Sequence, residues 1–142
     1  MENKTIPTVG VLILKDNKVL LICHKELAEH MSGKYGLPAG RIENNEEEKI
    51  AALRELKEET GLISAKDKLM ELPYKWEATI EGKNGKRNLS MVVFVCDDFV
   101  GTLDEDLETK PLWVNIKNLK DYDLLINVED IVHKGLDFIS KN

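Results

Sequence analysis

The sequence predicts a single α/β (α+β) domain in which a mixed central sheet carries helices on both faces. Three observations lead there. Runs of β-branched and apolar residues recur as TVGVLIL, KVLLICH, MELPYKWEATI, RNLSMVVFVCDD and PLWVNI. Two other stretches, 45–60 and 128–140, repeat their apolar residues every three or four positions, which is the helical period. Strand-like and helix-like segments interleave irregularly, which favours a mixed sheet over an all-parallel one.

The 142 residues fit one domain, 1–142, large enough to bury about two thirds of the surface that the unfolded chain exposes. Apolar residues make up 42% and charged residues 32%, the balance of an ordinary soluble globular protein. A formal net charge of -6 and a pI near 5.2 argue against a long nucleic acid or an anionic membrane as the main partner. Cys23 and Cys96 both sit in apolar runs and read as buried thiols in a reducing compartment. The N-terminal MENKTIPTVG has no long apolar stretch, and no run approaches the length of a membrane span. The expected location is cytoplasmic, the expected partner a small molecule, and the expected state a monomer or homodimer.

Along the chain, TVGVLIL and KVLLICH are separated by Lys15-Asp16-Asn17 and read as a hairpin. The polar stretch KELAEHMSGKYG follows, then LPAGRIE, a shaped loop that ends in a brief strand. The strongest helix is predicted over Asn45–Thr60, with Asn45 as N-cap, Glu48 three residues on, and Gly61 as terminator. Ile50, Leu53 and Leu56 provide its apolar stripe, which places Glu55, Glu58 and Glu59 on the far side as an exposed acidic face. Two long strands joined through Glu81–Gly85 come next, then the acidic loop GTLDEDLE, the strand PLWVNI and a final helix from Val128 to Ser140. Ile131, Val132, Leu136 and Ile139 are expected to face inward from that helix.

The acidic face of the first helix is the candidate for chemistry, beside the ordinary reading of a solvated charged face. Glu55 stands three and four residues from Glu58 and Glu59, a spacing at which like charges repel by roughly 0.2–0.5 kcal/mol per pair. Only Arg54 and Lys57 lie near enough in sequence to neutralise them, so a solvated face competes with a cation site. Carboxylates beside a loop that offers backbone carbonyls suit Mg²⁺ or Mn²⁺, and no cluster of histidine and cysteine suggests zinc. Such an ion, set against a phosphoanhydride, allows metal-assisted hydrolysis.

From Gly40 to Leu62 the chain reads GRIENNEEEKIAALRELKEETGL, which resembles the Nudix box at nine defined positions over 23 residues. Gly40 is followed after five residues by Glu46, and after seven more by Arg54-Glu55-Leu56, then Glu58-Glu59, Gly61 and Leu62. The resemblance implies a Nudix-type α/β/α sandwich and hydrolysis of a nucleoside diphosphate linkage. It implies metal ligands at Glu58, Glu59 and Glu55 and at the carbonyl of Ala39, where many members have glycine. It makes Glu55 a candidate base, Arg54 the residue that orients it, and Gly40 the tight turn before the helix. Glu46 is either an outer ligand or a structural partner of the loop. A further carboxylate often comes from a downstream loop; Glu105, Asp106 and Glu108 are candidates, and among them Glu108, five residues before Trp113, is favoured, while a solvated acidic loop is an equal alternative.

The segment HKELAEHMSGKYGLPAGRIE resembles the matching part of MutT-like enzymes, which hydrolyse nucleoside triphosphates, oxidised purine forms among them. The resemblance implies substrate contacts at Lys25, His30 and Arg41, with Gly36, Leu37 and Pro38 lining the nucleotide. Lys25 stands where the family has arginine and can meet a phosphate as a point charge but not with a bidentate fork. Asn127 matches an asparagine that reads the purine, and equally suits an N-cap for the last helix. Tyr35, Tyr74 and Trp76 can stack on a base or pack in the core. ADP-ribose, NDP-sugars and dinucleoside polyphosphates are the alternative substrates. A nucleotide-binding domain without turnover is the alternative from another class.

Overall fold

The computed structural model describes residues 5–24, 33–82, 85–104 and 107–142. Seven strands and two α-helices follow in the order β1 (Thr5–Lys15), β2 (Lys18–His24), β3 (Tyr35–Gly36), β4 (Ala39–Arg41), α1 (Glu48–Thr60), β5 (Leu69–Gly82), β6 (Gly85–Cys96), β7 (Thr109–Asn115) and α2 (Val128–Lys141). Short 3₁₀ turns cover Lys66–Lys68 and Ile116–Asp121.

The sheet is mixed, and β1 is where it forks. Along one edge β1 runs parallel to β6, from Thr5 opposite Asn88 to Ile13 opposite Cys96. Along the other edge it pairs antiparallel with β4 (Gly10 opposite Ala39) and then with β2 (Leu14 opposite Val19). β5 extends the first arm beside β6, while β3 and β7 both pair with β2 in the second arm. The β1–β2 hairpin turns on Asp16 and Asn17 at φ 52° and 63°, the two left-handed central positions that a tight two-residue hairpin demands. In β5 the register slips between Glu71 and Lys75, around Pro73, which has no amide to donate to the ladder.

Strand alternation divides the core. Val9, Val11 and Ile13 join Ala51, Ala52 and Leu56 of α1 on one face. Leu12 joins Val128, Ile131 and Val132 of α2 on the other. The layers are therefore helix, sheet and helix.

Both helices depart from their sequence patterns in informative ways. α1 begins at Glu48 with Glu47 as its cap position, and no side chain caps it. Asn45 instead takes a left-handed φ of 63° in a turn closed by the Glu46 amide on the Glu43 carbonyl. The buried stripe of α1 is Ala51, Ala52, Leu56 and Thr60, and Ile50 is 42% exposed. Two alanines at the contact favour the approach of α1 to β1 and β4. The turn of the helix also brings Glu55 and Glu59 beside that face, since Glu55 lies three residues from Ala52, and Glu59 lies three from Leu56 and seven from Ala52. The acidic residues therefore border the packed face; they do not oppose it.

In α2 the inward residues are Val128, Ile131, Val132 and Gly135, while Leu136 and Ile139 are 36% and 42% exposed. Gly135 takes the position a larger residue would fill: a Cβ there would lie 2.2 Å from Cδ2 of Leu12. That close approach rotates Leu136 and Ile139 onto the flank. Neither Cys23 nor Cys96 forms a disulfide, and no helix among the described residues is long and apolar enough to cross a membrane.

The C-terminus of α1 supplies a direct test of the backbone. Gly61 has φ 87°, its amide closes on the Lys57 carbonyl at 2.9 Å, and a Cβ would stand 2.9 Å from the Cβ of Asp104. Gly61→Ala is expected to destabilise the protein by at least about 1–2 kcal/mol, the cost of a left-handed non-glycine residue. Urea unfolding measures it, and a loss below roughly 0.5 kcal/mol, the range of an ordinary surface change, would contradict this geometry.

Candidate active site

The site is built where α1 faces the loop from Leu37 to Glu46. Its organiser is Arg54. Nε and one terminal nitrogen grip the two carboxylate oxygens of Glu46 at 2.8 and 2.9 Å. The other terminal nitrogen donates to Glu55 at 2.8 Å and reaches Glu58 at 3.4 Å. A further bond runs from Arg54 to the Arg41 carbonyl at 2.9 Å. The fixed fork of the guanidinium makes this possible; a lysine has no such planar array.

Neutralisation within the acidic face is thus extensive, contrary to the expectation from sequence spacing, because the loop folds Glu46 back onto Arg54. Glu46 is a structural partner here. It also accepts the Glu43 amide at 2.9 Å, and these bonds hold its carboxyl down at a pKa of about 2. Its side chain is 12% exposed, as is that of Glu55, whereas that of Glu58 is 57% exposed. Of the three acidic residues expected to form an exposed face, only Glu58 does so.

Glu55 and Glu59 are pressed against the loop. A Cβ on Gly40 would lie 2.2 Å from the carboxyl carbon of Glu55, so only glycine leaves room for that carboxylate. Glu59 accepts the Ala39 amide at 2.7 Å. Burial pushes Glu59 up to about 8, opposed by the Ala39 amide and reinforced by the charges of Glu55 and Glu58. Burial also raises Glu55, and Arg54 opposes that rise. Two inward carboxylates whose charged forms are disfavoured form a donor set that a hard divalent cation would stabilise. Among the described residues no three His, Cys, Asp or Glu side chains converge as a ready-made cage. An oxygen-only set with few protein ligands fits Mg²⁺, which keeps waters and takes substrate phosphates as further ligands.

The remaining candidates are spread more widely. Lys25, His30, Glu105 and Asp106 lie outside the described residues. Arg41 ends β4 with its side chain exposed and its carbonyl on Arg54. Glu108 is exposed, one residue before Thr109, whose hydroxyl donates to the Glu59 carbonyl at 2.8 Å. Gly36 and Pro38 are buried and Leu37 belongs to the core, so these three present no open lining; Leu125 lies over Gly36, its Cδ1 2.7 Å from where a Cβ would stand.

Asn127 does not act as a side-chain cap. It takes φ 75° and donates its Nδ2 to the Glu77 carbonyl at 3.0 Å, which ties the start of α2 to β5. It also lines an open depression of about 560 Å³ with Lys120, Tyr122, Leu124, Leu125, Glu129 and Asp130. Trp76 is 7% exposed and bonds Asp130 at 2.8 Å, which makes it a packing residue. Tyr35 sits edge-on to Tyr122 with ring centroids 4.9 Å apart, and Tyr74 lies under Lys134.

A NUDIX domain family model matches residues 4–134. The chain belongs to the Nudix family. Nudix proteins generally use divalent cations. This Nudix chain is 30% identical over 109 residues to an 8-oxo-dGTP diphosphatase of Escherichia coli K12, a match covering 64% of the chain and 84% of that protein. It is 48% identical over 59 residues to an ADP-ribose pyrophosphatase of Methanocaldococcus jannaschii, covering 40% of the chain and 34% of the relative. Across three of the curated relatives that it matches, the chain spans only 30% to 34% of their length. A MutT NUDIX hydrolase from Burkholderia pseudomallei shares the fold with a TM-score of 0.76 at 23% identity, covering 92% of this chain and 98% of that one.

Thr109 and the clamp formed by Glu46 were not evident from spacing. Thr109 is separated from Glu59 by 50 residues, and only the pairing of β7 with β2 brings it there. The separation of Glu46 from Arg54 was legible; that the loop would fold back was not.

The raised Glu59 has a consequence for stability. Its folded value of about 8 exceeds the ordinary 4.5, so the folded state binds the proton more tightly than the unfolded one. That contribution is complete below about pH 4.5 and is lost as pH rises toward 8. In EDTA, wild-type Tm is expected to fall relative to Glu59→Gln between pH 5 and pH 8. Parallel curves for the two proteins would refute the shift.

Proposed function

We propose that this protein hydrolyses a nucleoside diphosphate linkage with Mg²⁺ or Mn²⁺, acting on a (d)NTP, oxidised purine forms included, to give the monophosphate and pyrophosphate. The observation that supports it most is the pair Glu55 and Glu59, folded inward against Gly40 and Ala39 with Glu58 exposed beside them. A stability-driven helix gains little from this arrangement, because it buries charge that burial disfavours. A site that takes up cations and phosphates gains from it.

Glu59, Glu58 and Glu55, with the Ala39 carbonyl, would hold the ion, and the bound ion supplies Lewis-acid polarisation of phosphate and a more acidic water. The chain's own residues do the rest. Arg54 fixes Glu55 at 2.8 Å and so sets the direction in which that carboxylate can accept a proton. The water oxygen forms a new bond to phosphorus, the bridging P–O bond breaks, and the proton passes to Glu55 or to Glu108. Because phosphoryl transfer depends chiefly on positioning and electrostatics, a rigid Arg54 network is the relevant contribution. Lys25, His30 and Arg41 would meet the phosphates. Asn127 would offer its amide carbonyl to the base, since its Nδ2 is donated to Glu77.

A second reading, ADP-ribose as substrate, is favoured by the 48% identity to the Methanocaldococcus jannaschii enzyme over its matched stretch. Product release measured across normal and oxidised NTPs and dNTPs, ADP-ribose, NDP-sugars and dinucleoside polyphosphates separates the two. Glu58→Gln combined with Glu59→Gln is expected to lower turnover roughly 100-fold or more, beyond what outer-shell changes at metal sites cost. Near wild-type turnover in the folded double variant would sink the assignment.

A further inference from the structure

We infer that Thr109 is a positioning residue that holds Glu59 in register with the Ala39 amide and with the strand end that feeds Lys25. The inference rests on the hydrolase reading for its functional meaning, but its geometry stands apart from that reading.

A helix ends with four carbonyls that lack intrahelical partners. At the end of α1 three carbonyls have named donors. Lys57 O takes the Gly61 amide at 2.9 Å, and Thr60 O takes the Asp104 amide at 2.9 Å. Glu59 O takes the Thr109 hydroxyl at 2.8 Å. Thr60 turns inward, donating to Leu56 O at 2.6 Å and accepting the Leu62 amide at 3.0 Å. Donors from outside the helix therefore come from the segment 104–109, at both of its ends.

Of the two named donors from outside the helix, Asp104 uses its amide and Thr109 its side chain, and Thr109 belongs to a strand. It opens β7 opposite His24, the last residue of β2. The next residue along the chain is Lys25. That hydroxyl thus ties the helix that carries Glu55, Glu58 and Glu59 to the end of the β2–β7 ladder. Glu108, the proposed downstream carboxylate, is its immediate neighbour. An amide cap would hold the helix end equally well; a side chain on the β2–β7 ladder also transmits the ladder's position.

The test compares Thr109→Val, which keeps the shape and removes the hydroxyl, with Thr109→Ser, which restores it. In the metal-free protein, hydrogen exchange of the Ala39 amide, bonded to Glu59, is read against that of Ile13 in the β1–β6 ladder. Thr109→Val is expected to speed Ala39 exchange roughly two- to tenfold with Ile13 unchanged, the span that losing one hydrogen bond predicts. Thr109→Ser is expected to match wild type. Mn²⁺ affinity and kcat should fall together in Thr109→Val and recover in Thr109→Ser. A lower Tm in Thr109→Val with wild-type Ala39 exchange and wild-type Mn²⁺ affinity would overturn the inference and leave Thr109 a helix cap only. Wild-type protein inactive on every nucleotide, with the Ala39 effect still present, would sink the hydrolase reading and leave the positioning role standing.

Discussion

One guanidinium makes the rest of the site possible. An acidic helix face and an acidic loop repel each other unless a cation lies between them, and Arg54 is that cation. Its planar fork takes both oxygens of Glu46, one of Glu55 and the carbonyl of Arg41, so the loop and helix are fixed in one rigid piece. Glu55 can then be drawn under Gly40, and the same approach brings the Ala39 amide onto Glu59. The cost is two inward carboxylates whose charged forms are disfavoured. That cost falls on the groups a divalent ion would engage.

The framework around this piece follows from β1. Because its side chains alternate, Val9, Val11 and Ile13 support α1 while Leu12 supports α2, and one strand anchors both helical layers. Its edges are divided as well, with β6 along one side and β4 followed by β2 along the other. β4, which carries Ala39 and Gly40, is therefore held against the same strand that receives α1. The short span between them leaves the carboxylates little freedom.

Much of this was legible in the sequence, and what was not has physical causes. The box from Gly40 to Leu62 could be read because its spacing is local, and the strands could be read because alternation and β-branching are local too. The pattern misleads where backbone conformation, residue volume or a distant partner decides the outcome. Asn45 looks like an N-cap, yet it takes a left-handed turn two residues before Glu47, the cap position of α1; Asn127 does stand at the cap position of α2, but its side chain goes to Glu77 across the fold. Leu136 and Ile139 have the right period for burial, but Gly135 lets α2 settle onto Leu12 and turns them aside. A stripe through Ile50 points the acidic residues of α1 to solvent; small Ala51 and Ala52 take that place. Periodicity finds the helix, while residue volume decides its rotation.

The parallel pairing of β1 with β6 also governs the order in which the chain can be completed. The Thr8 hydroxyl bonds the Ser90 carbonyl, a contact between residues 82 positions apart. During synthesis from the N-terminus, the central strand must wait until β6 has emerged before that edge is covered. The Thr109 bond to α1 closes later still. Non-local strand pairing of this kind is slow, because loop closure precedes any reward from contact. The nascent β1–β2 hairpin is thus an apolar ribbon with an open flank on the ribosome, where a holdase chaperone would find its longest opportunity to bind.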